Sequence, residues 1–497
     1  MTARSRPRAV GPGARPGYAR RMLGTAHARR LVRRILGETP AIEVGLRATD
    51  TGLDEAVVQG ALELALRIGE AMLSLGAGAA DVTAAIHRIV RAYGLRGCQV
   101  DVTFTSITVS YARGGGILPT TLMRVVRTRT ADYGRLARVL RLGRDAGAEH
   151  VPAEQVAAVI EEHHAALDAI VHARHPYPRW FVTVMLAVLA AAVAVLFGGD
   201  AAVAVVAGAT SALIDRVVWT LGRWGLPPFF LQSVGAAIAT LVAVGLFVSV
   251  PHLPVELADL PPALVVASGI VVLLAGLSLV GAAEDAISGF PVTAGGRTFE
   301  VVVLTLGIVV GIGAVLDVAR RSGAPLELVD TPQASVPILV QVLASAVIAG
   351  SWGVSSYARP RAAMVVSVAG GLGWLVYVVA GDHGLGPAVA SAVAALVIGF
   401  LAEWLGPRLQ VPPLVISVCG IVPLLPGLAI YRAMFQLVSE PSSAVGPGAA
   451  GLVGAVMIGL GLAAGVTLGE FLAAPLHKGT VWRRFSSTGS RQPRVDA

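Results

Sequence analysis

The sequence predicts an α-helical polytopic membrane protein, with ten transmembrane helices built as two inverted five-helix repeats and an N-terminal soluble α+β domain. Three observations carry this expectation: the uneven placement of charge, the length and number of apolar segments, and an internal repeat. Of the 39 basic and 31 acidic residues in 497, 25 and 16 fall within residues 1–179, so this part carries net charge +9 and the remaining 318 residues −1. Charged residues make up 14% of the chain, against about 25% in globular proteins, and the mean hydropathy is +0.72. Cys98 and Cys419 fall in regions of opposite character, which implies no disulfide framework. Lys478 is the single lysine and no Gly-rich loop precedes it. A Walker A loop, a Schiff-base enzyme and a protein-kinase lysine are thereby excluded, since each needs its ammonium in a defined pocket.

Residues 1–50 read as a basic disordered tail, rich in Arg, Gly, Pro and Ala, either solvated or adhering to anionic lipid. Residues 51–178 read as a cytoplasmic ααββαα domain. Val57, Leu62, Leu66, Ile68, Met72 and Leu73 recur at helical spacing, Gly76-Ala77-Gly78 stops the run, and Asp81 offers an N-cap for a second helix through Tyr93. Val100–Tyr111 is β-rich, Arg113-Gly114-Gly115-Gly116 makes a turn, and Ile117–Thr128 reads as the returning strand. Helices over Tyr133–Asp145 and Pro152–His172 complete the domain. Gly76-x-Gly78 is no nucleotide loop, because it lies between helices and lacks a third glycine. Glu161, His164, Asp168, His172 and His175 share one face of the last helix. That spacing suits zinc, but a solvated juxtamembrane helix is the simpler reading, and no metal or cofactor is expected. The Thr103, Thr105, Ser106, Thr108 and Ser110 run has no placed base, and threonine suits strands on steric grounds alone.

The first membrane repeat, residues 179–330, holds the apolar segments Trp180–Phe197, Ala201–Leu221, Phe229–Val250, Pro262–Ala282 and Phe299–Leu316. The second, residues 331–476, holds Val336–Trp352, Ala362–Ala380, Pro387–Leu405, Pro413–Tyr431 and Ala449–Phe471, and residues 477–497 form a basic cytoplasmic tail. Each segment is long enough for about 30 Å of hydrocarbon. Asp215-Arg216 make the second segment the least regular. With the amino terminus inside, eleven Lys or Arg fall on inner connections or the tail and three (Arg320, Arg321, Arg432) outside, which places both termini in the cytoplasm. The stretch Pro261–Leu277 aligns without gaps on Pro412–Leu428, with nine of seventeen positions identical, and Gly307 and Gly311 correspond to Gly461 and Gly465. Five segments per copy is odd, so the copies have opposite topology, a transporter signature.

Pro423, Pro426 and Gly427 favour a break in the ninth segment, tolerated only beside a polar cavity. Leu274-Ala275-Gly276 is the counterpart in the fourth, without the proline. The substrate site is expected between these segments near the midplane, around Gly276, Ser278, Pro426 and Gly427. Glu403 and Glu470, flanked by apolar runs, are candidate proton carriers if burial favours their neutral form. Glu284, Asp285 and Arg432 follow the repeated Gly-Leu motif; they either meet substrate ammonium and carboxylate or anchor the segments at the interface, and Glu284 and Asp285 are further candidate proton carriers, with Glu403 or Glu284 the leading choice.

The run Ala65–Val82 (ALRIGEAMLSLGAGAADV), followed by Val100–Ser106 (VDVTFTS), resembles the amino-terminal domain of the bacterial threonine/serine exporter family. Leu196-Phe-Gly-Gly199 and Pro423–Arg432 (PLLPGLAIYR) are similar to the same family's membrane motifs, in the same order. The resemblance covers about residues 55–475. It implies ten spans, a cytoplasmic amino-terminal domain, location in the bacterial plasma membrane, and export of threonine and serine driven by the proton-motive force. The partners implied are these amino acids, protons and the lipid membrane, with no nucleic acid; a homo-oligomer is left open. Ala275 stands where the family usually has proline. Alternative readings are export of small dicarboxylates, a membrane channel coupled to a hydrolase-like domain, and a passive channel. The hydrolase reading would need a placed nucleophile and base within 55–175, where no Gly-x-Ser-x-Gly or His-Glu-x-x-His occurs.

Overall fold

In the computed structural model the charged amino-terminal part is a small α+β module. Its hydrophobic core continues into one side of a helical array. The structure describes residues 54–113, 118–148, 155–249, 262–270, 273, 276–322, 336–427, 429–430, 432–433, 436 and 445–476, all within a single unit, Thr49–Ala497. Both terminal tails, the Gly114–Gly116 turn and the Leu274-Ala275 counterpart lie outside the described residues.

The module begins with α1 (Glu55–Ser74) and α2 (Ala79–Ala92). The apolar stripe of α1 is buried from Val58 to Leu73. At Gly76 φ is +98°, a left-handed turn for which glycine is the natural residue. The sheet has three strands rather than two: β1 (Gln99–Val102), β2 (Ser106–Tyr111) and β3 (Thr120–Val125), paired antiparallel in sequence order. The expected strand Val100–Tyr111 is folded back on itself, with Val102 opposite Ile107. The Thr103 N–H donates to the Ser106 carbonyl (2.9 Å), and the Thr103 and Ser106 hydroxyls lie 2.7 Å apart. This turn is stabilised by side-chain hydroxyls and carries none of the Gly, Pro or Asn residues that mark a hairpin. The helices α3 (Tyr133–Ala146) and α4 (Val156–Val171) close the module, α3 being capped by Asp132, which accepts from the Arg135 N–H (2.8 Å).

Eight helices among the described residues are long and apolar enough to cross a membrane. They are α5 (Arg179–Leu196), α6 (Ala201–Arg223), α7 (Pro228–Ser249), α10 (Pro291–Arg321), α11 (Ile338–Ser355), α12 (Pro360–Asp382), α13 (Pro387–Leu409) and α15 (Val445–Ala473). Phe299, Val368, Leu339 and Met364 face outward with 64–71% of their surface exposed, as suits side chains against lipid and not water. Despite Asp215, α6 is continuous. Arg179 donates to one carboxylate oxygen (2.5 Å) and the Thr183 hydroxyl to the other (2.7 Å), so the start of α5 neutralises the charge inside its neighbour.

The fourth and ninth segments are the exceptions. The fourth is α8 (Pro262–Gly269) followed by α9 (Gly276–Ile287), and the ninth is α14 (Pro413–Gly420) followed by a 3-10 turn, Val422–Leu424. Both are interrupted, although only the ninth contains proline at the break.

The neighbours of the first five segments are matched by those of the second five. α5 packs on α6 as α11 does on α12, and α7 on α10 as α13 on α15, while α5 and α11 pack on each other. The glycines expected to correspond make equivalent contacts. A Cβ on Gly307 or Gly311 would lie 2.6 or 2.1 Å from the Phe229 or Ser233 carbonyl of α7. On Gly461 or Gly465 it would lie 2.6 or 2.2 Å from the Ala388 or Ala392 carbonyl of α13. Glycine is what lets these backbones touch.

Candidate functional site

The two interrupted segments meet one another. A Cβ on Gly276, the first residue of α9, would lie 3.2 Å from the Leu425 Cβ. In the ninth segment Pro423 and Pro426 supply no N–H to the turn before them. The Leu424 N–H turns back to Ile421 (2.9 Å) and the Gly427 N–H to Leu425 (2.8 Å), which unwinds the chain before it resumes helical bonding from Ile430 to Pro426 (2.9 Å).

A cavity of about 450 Å³ opens at this junction, within the size range of small-molecule sites. Gly276, Ser278, Gly281 and Glu284 line it from α9, Ile421, Pro423 and Gly427 from the ninth segment, and Ser417 and Glu470 from α14 and α15. The Ser417 hydroxyl donates to Glu470 Oε1 (3.0 Å). Pro426 is buried behind the wall. Of the expected site residues, Gly276, Ser278, Glu284, Gly427 and Glu470 are thus gathered on one cavity. Glu403 is half-buried on α13 and Arg432 is exposed, and neither lines the cavity.

Asp285 is next to the cavity with its carboxylate committed elsewhere. Its Oδ1 accepts from the Ala79 N–H at the start of α2 (3.0 Å) and its Oδ2 is 3.2 Å from Arg297 Nε. A helical-segment carboxylate thereby caps a module helix across 206 residues of sequence, a favourable end for negative charge. It takes the place of a local cap, and Asp81, expected as N-cap, lies inside the first turn of α2.

The module forms the rest of the wall, through Gly76, Gly78, Arg129 and Tyr133. It is fixed at two connections of the helical part. On 283–298, beside Asp285 and Arg297, the Thr293 hydroxyl donates to the Val102 carbonyl (2.9 Å), and a Cβ on Gly296 would lie 2.8 Å from the Phe104 ring. On 353–361 the Tyr133 N–H donates to the Ser356 carbonyl (2.9 Å) and the Tyr177 hydroxyl to the Ala358 carbonyl (3.1 Å). His175 stacks on Tyr357, with centroids 4.2 Å apart. Burial pushes the Tyr133 phenol pKa up, with Cys419 adding to the rise. It stays neutral and takes the Trp352 indole N–H (3.4 Å).

Sequence reasoning missed Arg129, Tyr133, Arg297, Glu300 and Trp352, all of which line the cavity. Arg297 counted only as an inner-loop charge, and Arg129 belongs to an alternating Arg124, Arg127, Arg129 run that looks like an ordinary solvated strand. The expected His-rich face is not one helical face, because α4 ends at Val171 and His175 lies beyond it, and its members are divided between partners. His164 Nδ1 is 2.8 Å from an Arg67 guanidinium nitrogen, Asp168 is ion-paired with the same Arg67, and His175 is 3.2 Å from Asp132. Among the described residues no group of three or more His, Cys, Asp or Glu side chains could hold a metal. The strand hydroxyls pair with one another, Ser110 with Thr121 at 2.8 Å.

The family model "Putative threonine/serine exporter" matches residues 63–319, the module and the first five segments. A second model, "Threonine/Serine exporter, ThrE", matches residues 341–472, the second five. The chain is 40% identical to a "Probable threonine/serine exporter" of Mycobacterium tuberculosis, over 87% of this chain and 80% of the relative. It is 33% identical to the "Threonine/serine exporter" of Corynebacterium glutamicum, over 86% and 85%. No solved structure matches. The chain belongs to the threonine/serine exporter family.

Proposed function

We propose that this protein is a secondary exporter of threonine and serine in the bacterial plasma membrane, driven by the proton-motive force. The observation that carries the reading is the cavity of about 450 Å³ where two interrupted segments meet with the carboxylates of Glu284 and Glu470 on its wall. Interrupted helices expose backbone polar groups suited to a zwitterion at membrane depth. In this reading each interrupted segment counts as one crossing. The eight long helices and the two interrupted segments then make ten, and the matched neighbours and glycine contacts of the two halves support an inverted repeat. The two stretches that fix the module, 283–298 and 353–361, fall on connections that the charge rule puts inside, which supports cytoplasmic termini.

Gly276, Ser278, Pro426 and Gly427 shape the substrate site. Glu284 and Glu470 carry the proton, since they share the cavity and Glu403 does not. Asp285 holds the module and is not a carrier. Relatives bearing the exporter name over most of their length favour transport over enzymatic chemistry in the module.

The test is efflux of labelled threonine from dipeptide-loaded cells expressing the protein, with and without protonophore. Protein-dependent efflux that collapses with protonophore is expected. Equal efflux with protonophore would make the protein a passive channel, and no threonine or serine efflux would overturn the substrate assignment and bring dicarboxylates forward.

A further inference from the structure

An exporter of a zwitterion needs a cation to meet the substrate carboxylate as well as an anion for the ammonium. The cavity carries three carboxylates, Glu284, Glu300 and Glu470, and two cations, Arg129 and Arg297. Arg297 is spent: its side chain is 11% exposed, Nε faces Asp285 at 3.2 Å, and an NH2 hydrogen is directed to the Ala77 carbonyl (3.4 Å).

Arg129 is different. Its guanidinium lies over the Phe104 ring, 4.0 Å from the centroid, and donates to the Phe104 carbonyl. No carboxylate lies within ion-pair distance of it among the described residues. Stacking and one hydrogen bond fix the plane of a group that has five N–H donors, so it is preorganised for a carboxylate. Its backbone is fixed as well, because the neighbouring Thr130 N–H donates to the Ser74 carbonyl (2.8 Å) and the Val126 N–H to the Thr105 carbonyl (2.8 Å). Phe104 in turn packs on Gly296 of α10, which ties the position of Arg129 to the helical part.

We propose that Arg129 of the soluble module is the cation that binds the α-carboxylate of the substrate, so that the module supplies part of the transport site itself. This deepens the reading of the cavity as the amino-acid site and rests on it. Burial, then the nearby positive charge of Arg297, disfavour the protonated form of Arg129, and the carboxylates of Glu300 and Asp285 only partly offset this. Arginine nonetheless stays charged in proteins, and an arriving anion relieves that repulsion.

The experiment is exchange of labelled threonine by the purified full chain in proteoliposomes, with unlabelled L-threonine or L-threoninol, in which the carboxylate is replaced by an alcohol, as competitor. Wild type is expected to be inhibited by threonine and far less by threoninol. Arg129→Gln is expected to raise the half-saturating threonine concentration by about tenfold to a hundredfold, the usual worth of a hydrogen bond to a charged group, and to leave threoninol unaffected, so the preference disappears. Arg129→Lys keeps the charge without the fork and is expected to fall between; it gives the same preference readout if the glutamine variant does not reach the membrane. An unchanged preference for threonine over threoninol in either variant would overturn the proposal. Absence of exchange by wild type would instead overturn the export reading, so the two failures are distinguishable.

Discussion

The two halves of the helical array grip the amino-terminal module by different chemistry. The second half does so through apolar contact: Ala358, Val366, Val411, Val415, Ile416 and Cys419 belong to the same buried cluster as the module's own Leu62, Met72 and Tyr133. The first half does so chiefly through polar groups with little exposure, Asp285, Thr293 and Arg297, with only Phe290 packed at the edge of that cluster. An apolar seam tolerates small displacements with little change in energy, whereas a buried ion pair is costly to separate unless water reaches both partners. Two sets of helices with similar neighbour packing thus meet the module unlike one another, one as a foundation for it and the other as a directional contact beside the cavity.

Breaking the apolar side should have the largest effect. Tyr133→Ala removes a ring that is 6% exposed and leaves the Trp352 indole without its partner. A loss of about 3–5 kcal/mol is expected, read as lower thermal stability of the purified protein and faster proteolysis within residues 54–178. Breaking the polar side comes next. Arg297→Gln leaves Asp285, 2% exposed, buried without its counter-charge, at about 3 kcal/mol. Adding Asp285→Asn should recover part of that loss, and no recovery would mean that the pair does not act as a unit.

A third test concerns what the halves share. Gly311→Val and Gly465→Val place methyl groups onto carbonyls of the facing helix and should cost about 1–3 kcal/mol each. Gly454→Val, whose Cβ would meet nothing within 4 Å, should be silent. A large effect at one of the two matched glycines and none at the other would separate the halves.

The smallest effect is a pH dependence within the module. Burial, then Arg67, lowers the His164 pKa, and burial, then Arg91, lowers that of His87. Their folded-state values lie below the unfolded value of about 6.5, so the unfolded chain takes up the protons more readily. The contribution of both groups is therefore complete above about pH 6.5 and is lost as pH falls through that value toward the folded pKa values. His164→Gln should flatten the slope of stability against pH in this window.

Much of this was legible from hydropathy and the repeat, but not where order comes from distant contacts. The segment at 299–316 is the inner part of α10, a 31-residue helix about 46 Å long. Its first turns are polar and invisible to an apolar window; Pro291 starts them and the module holds Thr293 and Arg297. The fourth segment is interrupted between Gly269 and Gly276 without the proline that marks the ninth, so its sequence alone left the matter open. The repeat drew attention to Gly276 and Gly427, and apolar surroundings to Glu470, all of which line the cavity. Arg129 and Tyr133 reach the cavity only because the module docks, and docking leaves no periodic trace in sequence.

The claim on which the account turns is that the junction of the two interrupted segments is where the amino acid passes. It is tested most directly by threonine efflux from cells expressing Gly276→Leu, Gly427→Leu or Gly454→Leu, each normalised to the amount of protein in the membrane. The first two positions line the cavity, while a Cβ at the third meets nothing within 4 Å. Loss of efflux in both cavity variants, with wild-type efflux from Gly454→Leu, is the result predicted. Undiminished efflux from Gly276→Leu and Gly427→Leu would contradict it, because a route through this junction must respond to bulk added to its walls.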